Sequence, residues 1–336
     1  AGFTKADIVY VCNNVTGEEL AAAAGNSRVV SVDSLSQLDL FGRHVPGGRV
    51  MIRVNPGIGA RHHKKVITAG KETKFGIDPD LFDDAKAICA RHGLRLVGIN
   101  QHVGSLFMNA DAYLKAAEWV LEAATEFDGL EIIDFGGGFG IPYHKYEDEG
   151  RLDIAELGEK FTALLAGWSA KHDYKGVFII EPGRYVPAES GLCLGTVTAV
   201  KNNGMTRYAC TDIGFNILPR PMLYDSFHDV EIYREGASPE DAGTEFAQNI
   251  VGNICETGDI LAKERVLPEM TEGDVLGFLD AGAYCYSMAS SYNQRVRPAE
   301  VLITASGEAQ LIRRRATLDD LPGPVPYTPL ALPTER

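Results

Sequence analysis

Glycines, a carboxylate and a guanidinium stand directly behind two apolar runs of this chain. Gly136-Gly137-Gly138-Phe139-Gly140 follows Leu130-Glu131-Ile132-Ile133-Asp134-Phe135, and Glu181-Pro182-Gly183-Arg184 follows Val177-Phe178-Ile179-Ile180. Glycine lets backbone N–H groups come close to a phosphate. A carboxylate and a guanidinium at the end of the next strand suit the other polar groups of a charged ligand. His102-Val103-Gly104-Ser105 closes an earlier apolar run. A glycine cluster behind a strand is as often a plain turn, and a lone His there is more often structural. A His, a hydroxyl, three glycines, a Glu and an Arg at three neighbouring strand ends are harder to explain as turns.

Two further stretches carry reactive groups. Asn253-Ile254-Cys255-Glu256-Thr257-Gly258-Asp259 sets a thiol beside a carboxylate, and Asp280-Ala281-Gly282-Ala283-Tyr284 sets a phenol behind an apolar run. Taken singly, a packed aromatic and a buried Cys are the plainer readings. His62-His63 with Lys64-Lys65 has no third ligand at suitable spacing and reads as a solvated loop rather than a metal site.

The elements that must position these residues alternate. Ile8 to Cys12, Val29 to Val32, Val50 to Val54, Leu96 to Gln101, Leu130 to Phe135 and Val177 to Glu181 are short and rich in Val and Ile. Most lack a two-residue period, which suits strands buried on both faces of a parallel sheet. Helical stretches are expected over Gly17–Ala24, Ser34–Phe41, Asp80–His92, Asp111–Glu126 and Ile154–His172. The two glycine-bearing strand ends lie about 45 residues apart, which fits a barrel of alternating strands and helices with its chemistry at one rim. Six strands are two short of a closed eight-stranded barrel, so this reading expects about two βα units ahead of Ala1. After about Ala188 the helical patterns give way to strand-like runs: Thr196–Lys201, Arg207–Asp212, Val230–Tyr233, Asn249–Cys255 and Val275–Leu279. The expected domains are therefore a partial barrel over 1–187, an all-β domain over 188–320 and a proline-rich extension over 321–336.

The 336 residues are 45% hydrophobic and 23% charged, as in ordinary globular chains. A net charge of -14 argues against nucleic acid and anionic membranes as partners. No apolar run approaches the length of a membrane helix. The six cysteines show no CxxC spacing and read as reduced thiols of a cytoplasmic protein.

Together these residues resemble the fold-type III pyridoxal-phosphate decarboxylases, an alanine racemase-like barrel family that includes ornithine decarboxylase, and within it the diaminopimelate decarboxylases. The resemblance runs through Arg53-Val54-Asn55-Pro56, Lys74-Phe75-Gly76-Ile77, His102 to Ser105, the glycine run, Glu181 to Arg184, Arg220-Pro221 with Tyr224-Asp225, Cys255 to Asp259, and Asp280 to Asn293. It implies pyridoxal 5'-phosphate as cofactor. Gly137, Gly138 and Ser105 would hold its phosphate, with the Arg184 backbone and the Tyr284 hydroxyl. His102 would stack on the ring, and Glu181 would pair with the ring nitrogen. Cys255 would return a proton to carbon, reaching the site from the other subunit of a homodimer with shared active sites. Arg184, Arg220, Tyr224, Glu256 and Tyr284 would recognise the substrate, meso-diaminopimelate, on its way to L-lysine.

The chain departs from that family in two places. The family's Schiff-base lysine ends its first barrel strand, and no lysine here has that context, so the chain alone is expected to be inactive. Tyr185 follows Arg184 as in ornithine decarboxylases, where diaminopimelate enzymes commonly have Ser. A decarboxylase of ornithine, lysine or an amino acid in siderophore or antibiotic assembly thus stays open. So does a non-catalytic relative, although a regulator has no need of Cys255, Glu181 and His102.

Overall fold

The computed structural model describes residues 2–55, 73–147, 149–236 and 244–321. His62, His63, Lys64, Lys65 and the extension beyond Leu321 lie outside the described residues. The chain divides into two compact units, one of Ala1–Pro142 with Asp148–Val186 and one of Tyr143–Glu147 with Pro187–Arg336. Among the described residues no helix is long and apolar enough to cross a membrane.

In the first unit six parallel strands pair in sequence order: β1 (Val9–Val11), β2 (Val29–Val32), β3 (Arg49–Arg53), β4 (Arg95–Asn100), β5 (Ile132–Gly137) and β6 (Val177–Glu181). All six follow the expected runs. Between them stand α1 (Gly17–Asn26), α2 (Leu35–His44), α3 (Phe82–His92), α4 (Ala110–Ala124) and α5 (Ile154–His172). The curled sheet of a partial barrel is the fold that the alternation predicts. Polar caps start four of these helices: the Thr16, Ser34, Asn109 and Asp153 side chains accept backbone N–H groups of the first turn. α4 buries Tyr113, Ala116, Ala117, Val120, Leu121 and Ala124, the stripe its spacing foretells.

Alternation along the strands gives the sheet two unlike faces. Val30, Val32, Val50, Ile52, Ile99, Ile133 and Phe135 point to the helices. Val29, Met51, Val97 and Ile132 form an apolar layer on the other face, with Val9 and Ile179 against it. Two residues further along four of these strands the same face turns polar, with Ser31, Arg53, Asp134 and Glu181. Ser31 Oγ donates to Asn100 Oδ1 at 2.6 Å, so Asn100 joins this layer. The polar layer lies at the C-terminal strand ends, where a barrel places its chemistry.

The second unit is built on a sheet of order β11-β10-β8-β7-β12-β9. Its strands are β7 (Cys193–Asn203), β8 (Thr206–Thr211), β9 (Val230–Tyr233), β10 (Glu245–Val251), β11 (Ile260–Pro268) and β12 (Val275–Phe278). β10 pairs with β8 in parallel, and the other pairings are antiparallel. A hairpin of β13 (Glu300–Ile303) and β14 (Ala309–Arg313) follows. Val197, Ala209, Leu218, Ile250, Leu276 and Phe278 anchor the core.

Three features differ from the sequence reading. β11, β13 and β14 were not anticipated, because Lys263, Glu264 and Arg265 interrupt β11 and the hairpin is exposed along almost its whole length. A short helix α6 (Arg220–Tyr224) stands where only β structure was expected. The strand expected to run through Cys255 stops at Val251. A Cβ at Gly252 would stand 2.3 Å from Asp259 Oδ2, and Asp259 accepts the N–H groups of Ile254 (2.8 Å) and Phe215 (2.7 Å). That carboxylate gathers the chain into a turn, and Cys255 lies in it.

Candidate functional site

The C-terminal rim of the first unit is closed by glycines that leave no room for a side chain. At Gly137, opposite Glu181 in the β5–β6 register, a Cβ would lie 1.8 Å from the Glu181 carbonyl oxygen. At Gly138, with φ +105°, it would lie 2.2 Å from the Gly104 carbonyl oxygen. The Phe107 N–H donates to the Gly138 carbonyl at 3.0 Å, and the Gly140 N–H returns a bond to the Phe107 carbonyl at 3.0 Å. The loops after β4 and β5 are thus stitched into one surface of bare backbone.

The polar side chains of the rim are tied to that surface. His102 Nδ1 accepts the Gly137 N–H at 3.2 Å. Burial, aided by the nearby Arg53 charge, pushes His102 down to about 4, so the ring is neutral and carries its proton on Nε2. Arg184 Nη2 donates to Ser105 Oγ at 3.1 Å, linking the turn after β6 to the loop after β4. Glu181 ends β6 on the inner face, with Arg53 within electrostatic reach. Of the residues expected at the site, His102, Ser105, Gly137, Gly138, Glu181 and Arg184 stand together on this rim.

Three rim residues had no assigned role in the sequence. Arg53 is buried, its guanidinium 4.5 Å from the centroid of Phe75. Asp134 is buried, and its Oδ1 accepts the Gly136 N–H at 2.9 Å. Burial, then the Glu181 charge, lifts its carboxyl well above the usual carboxylate range. A carboxylate inside the apolar run Ile132-Ile133-Asp134-Phe135 was the signal for it. Gln101 is fully buried, and both polar atoms of its amide have no hydrogen-bond partner among the described residues. A cradle of bare backbone that any Cβ would fill fits a small phosphorylated ring compound.

In the second unit the expected residues form separate groups. Arg220 opens α6 at 1% exposure, its guanidinium 4.4 Å from the Tyr143 centroid. Its Nη1 donates to His228 Nε2 at 2.8 Å, and His228 Nδ1 donates to the Leu279 carbonyl at 2.7 Å. Tyr224 stands one helical turn on and is half-buried. Cys255 and Glu256 are exposed in their turn, where Glu256 Oε1 accepts the Tyr292 hydroxyl at 2.7 Å. Tyr284 is 43% exposed, with φ +57°.

Comparison with known proteins gives a consistent result. The family described as "Pyridoxal-dependent decarboxylase, pyridoxal binding domain" matches residues 1–188. Diaminopimelate decarboxylase of Methanothermobacter thermautotrophicus is 38% identical over 328 residues, 96% of this chain and 75% of that protein. The enzyme of that name from Escherichia coli K12 is 34% identical over 327 residues, 94% of this chain and 76% of its own length. A crystal structure of a diaminopimelate decarboxylase superposes with a TM-score of 0.87 at 32% identity, covering 95% of this chain and 78% of that one. The enzyme of M. jannaschii, solved in complex with L-lysine, superposes with a TM-score of 0.80 at 30% identity, covering 94% of this chain and 74% of that one. The chain belongs to the pyridoxal-dependent decarboxylase family, and its first unit is a pyridoxal-phosphate-binding domain of that family.

Proposed function

We propose that the protein decarboxylates meso-diaminopimelate to L-lysine. The observation that carries the reading is the glycine rim, with Gly137 closed on Glu181 and Arg184 tied to Ser105, in a chain 38% identical to an enzyme of that name. Pyridoxal phosphate, when bound, supplies a protonated ring that takes up the electron pair left on carbon as CO₂ departs. The chain's own residues do the rest. Gly137, Gly138 and Ser105 hold the phosphate, with the Arg184 backbone and the Tyr284 hydroxyl. Neutral His102 lies against the ring face. The Glu181 carboxylate holds a proton at the ring nitrogen. Cys255 delivers a proton to the substrate carbon. Arg184, Arg220, Tyr224 and Tyr284 recognise the distal carboxylate end and Glu256 the ammonium. A homodimer in which Cys255 serves the partner's site, working in the cytoplasm, completes the proposal.

We also propose that these 336 residues do not turn over substrate by themselves. Lys5 precedes β1, at the sheet end away from the rim, and donates to the Ala24 carbonyl at 2.9 Å. Lys74 lies over Phe75, and Lys145 is held by Glu189 and Asp280. Borohydride reduction of the chain mixed with pyridoxal phosphate should leave no stoichiometric adduct; a single modified lysine would overturn this.

The substrate is tested by CO₂ release from meso-diaminopimelate, ornithine and lysine in the intact protein. Preference for either of the last two sinks the substrate assignment. A second reading keeps the chemistry and changes the amino acid; Tyr185 behind Arg184 is what favours it.

A further inference from the structure

The segment Tyr143–Glu147 lies in sequence between two parts of the first unit yet packs within the second. Its side chains are anchored there one after another. The His144 ring stacks on Phe227 with centroids 3.6 Å apart. The Lys145 N–H donates to Asp229 Oδ2 at 2.6 Å. Lys145 Nζ stands 3.1 Å from Asp280 Oδ1 and also bonds Glu189. The Tyr146 hydroxyl donates to Glu231 Oε1 at 2.6 Å.

Asp280 is 3% exposed, and its Oδ2 is buried without a hydrogen-bond partner among the described residues. A buried carboxylate of this kind needs a counter-charge. Lys145 supplies one, and its charge and hydrogen bond oppose the upward push of burial on the carboxyl. The backbone around Asp280 has no slack. Leu279 N–H donates to the Asp229 carbonyl (2.9 Å), Ala281 N–H to Gly191 (2.8 Å) and Gly282 N–H to Ala188 (3.0 Å). A Cβ at Gly282 would lie 1.8 Å from the Pro187 carbonyl oxygen. Asp280 and Tyr284 hold φ of +58° and +57°, where side-chain-bearing residues are strained and need support from their surroundings. Asp229 ties the two sides, taking Lys145 N–H on its carboxylate and Leu279 N–H on its carbonyl.

We propose that Lys145 is the positioning residue for the Asp280–Tyr284 turn: its ammonium anchors the buried Asp280 carboxylate and thereby sets where the Tyr284 hydroxyl stands. The functional half of this rests on the reading of Tyr284 as a cofactor contact.

The test is hydrogen exchange by mass spectrometry on the 336-residue chain, paired with a fluorescence titration of pyridoxal 5'-phosphate. Lys145→Met should speed exchange of the peptide over 280–285 and weaken binding about tenfold, the consequence of leaving one buried partner unsatisfied. Lys145→Arg should restore protection, because the charge returns. The double variant Lys145→Met with Asp280→Asn should recover much of it, because the buried charge is gone; this variant also serves if the single one fails to fold. Unchanged exchange over 280–285 in folded Lys145→Met, or a double variant as loose as the single, overturns the proposal. Tyr284→Phe with undiminished cofactor binding overturns the reading of Tyr284 instead, while the exchange result still decides the role of Lys145.

Discussion

The backbone N–H of Gly137 donates to Nδ1 of His102 across 3.2 Å. That bond joins the loop after β4 to the glycine loop after β5 and selects one imidazole tautomer. It also gives His102 a reason to stay neutral, since a second proton on Nδ1 would have to displace the Gly137 donor. Much of the rim's expected behaviour follows from this contact and from the carboxylates around it.

His102 is pushed down to about 4 by burial, then by Arg53. In the unfolded chain it titrates near its ordinary value of about 6.5. Between those values the unfolded state binds more protons, so stability rises with pH across that window and is lost as pH falls through it. Thermal melts over the window should show this slope in the native chain and a shallower one in His102→Gln. Equal slopes would remove His102 from the account, and ¹⁵N shifts should report a protonated Nε2 at neutral pH.

Asp134 has the opposite sign. Burial and the Glu181 charge raise its carboxyl, so the folded state holds a proton that the unfolded state has released. Stability should therefore fall as pH rises from the ordinary carboxylate range toward the raised value. Asp134→Asn should flatten that fall. An Asp134→Asn profile that runs parallel to the native one between the ordinary carboxylate range and about 8 would mean that Asp134 is already ionised there.

Gly137→Ala and Gly138→Ala should each cost roughly 2 kcal/mol or more, because a Cβ meets backbone oxygen and, at Gly138, an unfavourable φ. Denaturant unfolding measures the loss, and pyridoxal-phosphate titration should show weaker binding. Gly158 is a suitable control: it lies within α5 with no atom within 4 Å of a built Cβ. Gly158→Ala should be neutral or stabilise by up to about 1 kcal/mol.

Cys255→Ala separates chemistry from stability. The thiol is exposed, so its removal should change unfolding free energy by no more than about 0.5 kcal/mol. In the proposed role of proton donor it should contribute on the order of a hundredfold to turnover. Undiminished CO₂ release in Cys255→Ala would assign the proton to another group.

The barrel half of the fold was open to reading because each strand is a compact apolar run and each helix carries a stripe or a cap. Ile132-Ile133-Asp134-Phe135 is short, β-branched and aromatic and ends in glycines, which favours a buried strand over a helix. The β-rich half was less legible. In β11, Lys263 and Glu264 are exposed, and Arg265 turns its guanidinium onto the Phe227 ring and donates to the His228 carbonyl at 3.0 Å, so three charged residues in a row deny the run the apolar signature of the barrel strands. Cys255 looked like strand because Asn249 to Cys255 is largely apolar; a carboxylate at Asp259 folds that stretch back on itself.

Local composition alone settled where strands end in glycine and which polar residues follow them, since backbone freedom and side-chain period are properties of neighbouring residues. Tertiary structure decided which of those residues meet. Gly137 finds His102 and Arg184 finds Ser105 across 35 and 79 positions of chain. Strand pairing and burial set those meetings, and they depend on the whole sheet at once.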